Sequence, residues 1–185
     1  MKEIFERYSP RAFDKSKQIS DKDIKLILEA ASWAPSSFNN QPWRFFVSDK
    51  RKNDNFYNEI LSALNEFNQK WAVTAPILIV LTCLKHYEHN LKQNTTAMFE
   101  LGLAVQNMII KAMNVGIYSH IMGGFDKEKI RKVINADENL EVVAILALGY
   151  LGKIDDLPDE IKKAEIEKKR IRKNLNEIVF ESSLK

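Results

Sequence analysis

The segment from about Asn90 to Val115 limits what this chain can fold into more than any other. Between residues 97 and 113 only Glu100, Gln106, Asn107 and Lys111 interrupt it as strongly polar side chains. Met98, Leu101, Val105, Met108 and Ala112 fall at helical spacing on one face, while Phe99, Leu103, Ile110 and Ile117 fall on another. A surface helix shows a broad polar side and this one does not, so it is expected to be buried nearly all round. Gly116 suits the residue that ends it. Such a helix needs more cover than this chain easily supplies, which points to a second copy.

The remaining elements arrange themselves around that helix. A short helix over residues 2 to 8 should stop at Ser9-Pro10, because proline disfavours helical geometry in the residue before it. Ser20 can cap a helix that carries Ile24, Ile27, Leu28 and Ala31 on one face until Pro35 ends it. "WRFFVS" reads as a strand, and residues 53 to 67 place Phe56, Ile60, Leu61, Leu64 and Phe67 at helical spacing. "APILIVLTCL" reads as a buried strand opened by Pro76. "IYSHIM", a helix from Asp126 to Asn135 and the strand "EVVAILALGYL" complete a body over residues 1–152. Beyond Gly152 charge rises and apolar residues thin out, so 153–185 is an arm of the same domain. The class is α+β. The glycines form neither GxGxxG nor a P-loop, which argues against a dinucleotide-binding sheet.

Composition closes off several functions. At 185 residues with 45% hydrophobic content, the chain holds one domain with a substantial core. Twenty-eight basic against 25 acidic residues give a net charge of +3, far from the one-sided balance of a nucleic-acid binder. Cys83 is the only cysteine, so no internal disulfide or cysteine-based zinc site can form, and a reducing compartment is the simplest context. The apolar run "APILIVL" is too short for a membrane span and the first residues lack a secretory core, so a cytoplasmic protein with neither membrane nor nucleic-acid partner is expected.

Four stretches could carry chemistry. In "RYSPR", Arg7, Ser9 and Arg11 could grip a phosphate, or the arginines could be a solvated pair. "APSSFNNQPW" is dense in hydrogen-bonding side chains and has no glycine. Asn39 and Gln41 could read the alternating donors and acceptors of a ring edge, or simply build a polar turn. In "MGGF", Gly123 and Gly124 could admit a ligand close to the backbone, or form a plain turn. Seven basic residues against two acidic between Lys162 and Lys173 read mostly as a solvated face, with Arg170 and Arg172 pointing the same way if that stretch is extended. His86, Glu88 and His89 lack a metal-binding spacing, so no metal is expected.

Taken in this order, "RYSPRAF", "APSSFNNQPWRFFV" and "MGGFD" resemble the nitroreductase family of FMN-dependent oxidoreductases over nearly the whole chain. The second matches the family's Pro-Ser-Ser-x-Asn-x-Gln-Pro-Trp signature. The resemblance implies a mostly antiparallel central sheet flanked by helices, and a homodimer with FMN at its interface and exchanged C-terminal arms. Arg7, Ser9 and Arg11 would hold the phosphate and ribityl chain or the ring's polar edge, with Tyr8 alongside, and Arg170 and Arg172 would complete the phosphate grip. Pro35, Ser36, Ser37 and Asn39 would come from the other subunit, and Gln41 and Asn68 would bond toward the ring's polar parts. Met122, Gly123 and Gly124 would bring backbone close to the flavin N5. No side chain is expected to be catalytic.

The implied chemistry is ping-pong transfer of hydride from NADH or NADPH to noncovalent FMN and on to a nitroaromatic, quinone or similar small acceptor. The chain is shorter than better-known members and has "MGG" where many carry a glutamate, which leaves the acceptor open. The other readings are a reductive dehalogenase, for which residues 51–70 could supply a lid, a flavin-modifying enzyme, or a flavin-binding protein without turnover.

Overall fold

The computed structural model describes residues 2–183; Met1, Leu184 and Lys185, which fall at the ends of the expected body and arm, lie outside the described residues. Four strands form one sheet in the order β1-β2-β4-β3: β1 Trp43–Asp49, β2 Ile77–Leu84, β3 Tyr118–Met122 and β4 Leu140–Gly149. Every pair among them is antiparallel. The two central strands explain their own sequence. In β2, Ile77, Ile79, Leu81 and Cys83 enter one core while Leu78 and Val80 enter the other, so a strand covered on both faces reads as an unbroken apolar run. Between Leu81 and Thr82 the register against β4 slips by one residue, where Val143 is the extra residue of a bulge.

Helices cover both faces. On the first lie α2 (Asp21–Ser32) and α5 (Ala97–Asn114), which pack Ile24, Ile27 and Ala31 against Leu101, Ala104, Val105, Met108 and Ala112. Ser20 caps α2 by accepting from Asp23 N at 3.1 Å, as its position implied. On the second face lie α3 (Asp54–Ala63), α4 (Glu66–Ala72), α6 (Lys127–Val133) and α7 (Asp159–Ile166), around Tyr57, Ile60, Trp71, Ile130 and Ile161. The short α1 (Lys2–Glu6) precedes them and ends before Arg7, two residues short of the expected Tyr8.

Three expectations need correction. Residues 53–67 are not one helix. The chain turns at Leu64, and Asn65 starts α4 by accepting from Asn68 N at 2.8 Å while its own N–H donates to Gly124 O at 2.9 Å. A tertiary carbonyl and a cap thus outweigh the unbroken apolar spacing. The long helix starts at Ala97, not Asn90, because Asn94 Oδ1 accepts from the N–H and hydroxyl of Thr96 and turns the chain there. It is also not covered all round within one chain: Met98 and Phe99 are 61% and 69% exposed. Residues 54–72 pack into the second core through Tyr57, Ile60 and Trp71. Among the described residues no helix is long and apolar enough to cross a membrane.

Candidate functional site

The expected site residues fall into two groups on opposite edges of the sheet. The first gathers at the end of β3. Gly123 and Gly124 leave that strand, and the Gly124 carbonyl accepts from Asn65 N and, at 3.2 Å, from Asn68 Nδ2. A Cβ at Gly124 would collide with Asn65 Nδ2, whereas Gly123 is exposed and would meet nothing within 4 Å. One glycine is therefore needed for packing, and the other leaves open backbone. Met122 is buried below them, and Asp126 caps α6 by accepting from Lys129 N at 2.9 Å.

The segment Arg7–Arg11 crosses this end of the sheet, tied down by contacts distant in sequence. His120 of β3 donates from Nδ1 to Pro10 O at 2.9 Å and stacks on Trp71 at 4.5 Å between ring centroids. Burial holds its pKa down, to about 4, so the ring is neutral near pH 7. Tyr8 meets Tyr118 edge to face at 5.6 Å, and burial pushes its phenol up. Arg11 lies over the Phe67 ring at 5.4 Å and pairs with Glu165 of α7, Nη1 to Oε2 at 3.1 Å. Lys168 donates to Ser9 O and Arg170 to Phe5 O. Among the described residues Arg172 bonds to the neighbouring Ile171 carbonyl rather than to the 7–11 segment. Lys168 and Glu165 take that place in the contacts.

The second group, residues 35–41, enters β1 at the opposite edge. Phe38, Asn39 and Gln41 all have positive φ, at 53°, 52° and 45°, the left-handed region that costs a bulky side chain most. The expected hydrogen-bonding density holds this geometry. Gln41 N donates to Ser36 Oγ at 2.9 Å, Gln41 Nε2 to Asn39 Oδ1 at 3.2 Å, and Ser37 N to Glu100 Oε1 at 2.9 Å. Pro35 is exposed, and Phe38, 79% exposed, leans on Tyr87 at 5.7 Å and His89 at 5.3 Å. Glu100 was visible as a polar interruption of an apolar helix. Its buried carboxylate also accepts from Asn94 Nδ2 and Thr96 Oγ1, so it anchors the turn from α5. His86 is engaged with Asn139, and among the described residues no cluster of three His, Cys, Asp or Glu forms.

Two strands separate β1 from β3, so the two groups stand roughly 14 Å apart across the sheet at about 4.8 Å per strand. The first group alone offers cations at one end and open glycine backbone at the other. That donor set fits a ligand with an anionic tail and a flat ring bearing polar edges.

Comparison with known proteins bears on the fold and the family. The model of the nitroreductase family matches residues 4–150. A protein of Archaeoglobus fulgidus, named for an inferred NADH dehydrogenase/NAD(P)H nitroreductase activity, is 31% identical over 159 residues, covering 81% of this chain and 84% of that one. The major NAD(P)H-flavin oxidoreductase of Aliivibrio fischeri is 25% identical over 201 residues, covering 85% of this chain and 90% of its own. Among solved structures, an oxidoreductase containing FMN superposes with a TM-score of 0.89 at 32% identity, over all of this chain and 92% of the other.

Proposed function

The chain belongs to the nitroreductase family, and on that premise we propose that it is an FMN-dependent oxidoreductase that takes hydride from NADH or NADPH and reduces a nitroaromatic, quinone or similar small acceptor. One observation carries the reading: the cationic Arg7–Arg11 segment runs along β3, Tyr8 at Tyr118 and Pro10 at His120, and its Arg11 lies over Phe67, next to the Asn68 that bonds the Gly124 carbonyl. When bound, FMN supplies two-electron chemistry at N5; the protein's part is binding, orientation and electrostatics.

Arg7, Ser9, Arg170 and Arg172 would hold the phosphate, with Tyr8 beside the ribityl chain. Arg11 serves the ring's polar edge instead, because its guanidinium lies over Phe67 and the next residue, Asn68, reaches the Gly124 carbonyl. Met122 supports the turn, and the open backbone of Gly123, next to Gly124, would leave room for the ring. Pro35, Ser36, Ser37, Asn39 and Gln41 stand at the far edge of their own sheet, so in a homodimer the partner's copies border the ring. Residues 1–152 form the body, and the apolar side chains of the 153–185 arm, Ile171, Leu175 and Phe180 among them, lie on the partner.

Asp126 caps α6, and His120 is half-buried, neutral and bonded to Pro10, so neither side chain moves a proton in turnover. Protons would come from water. Purified protein should be yellow, release its flavin on acid precipitation, and give parallel double-reciprocal lines for NAD(P)H against a quinone. Colourless protein that takes up no FMN would overturn the reading. Bound FMN without NAD(P)H oxidation would leave a flavin carrier.

A further inference from the structure

Glu165 is a carboxylate placed where a cofactor site has reason to avoid one. Its side chain is 4% exposed, on α7 of the arm, and its two oxygens face Arg11 from opposite ends of the chain. Oε1 accepts from the Arg11 backbone N–H at 3.3 Å and Oε2 from Arg11 Nη1 at 3.1 Å. Lys168 Nζ stands 3.6 Å from Oε2 while it donates to Ser9 O. The Arg11 Nε is buried and has no acceptor among the described residues. Two cations thus share one anion, and the cluster keeps one net positive charge. Burial holds the Lys168 ammonium's pKa below its ordinary value, with Arg11 adding to the effect and Glu165 opposing it.

A buried ion pair of this kind is a poor device for stability, since apolar residues of the same volume hold a fold as well. Its electrostatic effect is more specific. A hydride carries two electrons and one proton, so whatever accepts it gains one negative charge. A cation beside that charge favours the reduced state, and an anion behind the cation cancels part of the favour.

Resting on the FMN reading above, we propose that Glu165 sets the reduction potential of the bound flavin, lowering it by neutralising Arg11 at the ring's polar edge. Glu165 touches neither ring nor substrate; it is a positioning residue that acts through Arg11. Keeping the potential low leaves the reduced cofactor able to pass its electrons on.

Dye-equilibration measurements of the midpoint potential on FMN-loaded protein test this. Glu165→Gln keeps the side chain's volume and an acceptor oxygen but leaves the cluster with two net charges. It should favour binding of reduced over oxidised FMN by about tenfold, an upward shift of about 30 mV for two electrons. Lys168→Met, which leaves the cluster neutral, should shift the potential downward. The second variant decides the matter if the first does not load. A structural role alone would change the melting temperature of the apoprotein and the FMN affinity equally in both redox states. Unmoved potentials in loaded variants would overturn the proposal. So would shifts of the opposite sign. Wild-type protein that takes up no FMN would overturn the reading beneath the proposal, an outcome distinct from either.

Discussion

The turn at residues 34–42 and the basic segment at 7–11 serve opposite edges of one sheet and are stabilised in opposite ways. The turn carries its own bonds among Ser36, Asn39 and Gln41, and Glu100, Tyr87 and Glu88 anchor it from outside through Ser37 and Asn40. The basic segment has almost no local order. It is fixed by His120, Glu165 and Lys168, which are 110 to 159 residues away in sequence. A segment that carries its own hydrogen-bond partners can be recognised from a quoted decapeptide. One that borrows them from the far end of the chain cannot.

The comparison is broken most severely by removing a borrowed partner. Arg11→Ala leaves the buried Glu165 carboxylate with Lys168 and the backbone N–H of residue 11 but without its guanidinium, and should cost about 4 kcal/mol in urea unfolding, together with most of the bound FMN. A loss below about 1 kcal/mol would mean that the basic segment is not fixed this way.

A second prediction concerns acid. His120 titrates near 4 in the folded chain, below its ordinary value of 6.5, so between those values the unfolded chain binds the extra proton. Its stabilising contribution is therefore full above about pH 6.5 and is lost as pH falls toward 4, by about 3 kcal/mol. His120→Gln should flatten the stability profile by that amount across this window. Parallel profiles for the two proteins would contradict the half-buried, neutral ring.

Much of the scaffold was legible for physical reasons. β2 is apolar without interruption because both its faces are covered, and α2 announces itself through Ser20 and a regular apolar stripe. The break at Leu64 was hidden because Phe67 continued the helical spacing, while the competing cap at Asn65 is completed by a carbonyl 59 residues on, at Gly124. In the site, Asn39 and Gln41 were recognisable from their own chemistry. Glu165 and Lys168 looked like two more charges in a solvated tail, since nothing near them in sequence shows what they face. Arg172 was expected beside Arg170 by alternation, but the arm there has no regular strand.

The turn offers a sharper and smaller test. Glu100→Ala leaves the donors of Ser37, Asn94 and Thr96 without their buried acceptor and should cost about 2 kcal/mol. It should also release the positive-φ geometry, seen as faster proteolysis at residues 36–41. Smallest of all, Gly124→Ala pushes Asn65 off its capping position and should cost about 1 kcal/mol. The same substitution in an Asn65→Gly background should cost less, and an undiminished cost there would mean that the glycine is required for another reason.

The central claim is that the two regions meet at one flavin only when they come from different chains. Subunit mixing tests it directly. Arg11→Ala and Asn39→Ala proteins, each poor in FMN alone, should be unfolded together, refolded and titrated with FMN. A dimer holding one of each has one site with both defects and one with neither, so random mixing should restore about a quarter of the wild-type sites. A mixture as empty as its two components would contradict the account and place both regions at the same flavin within one chain.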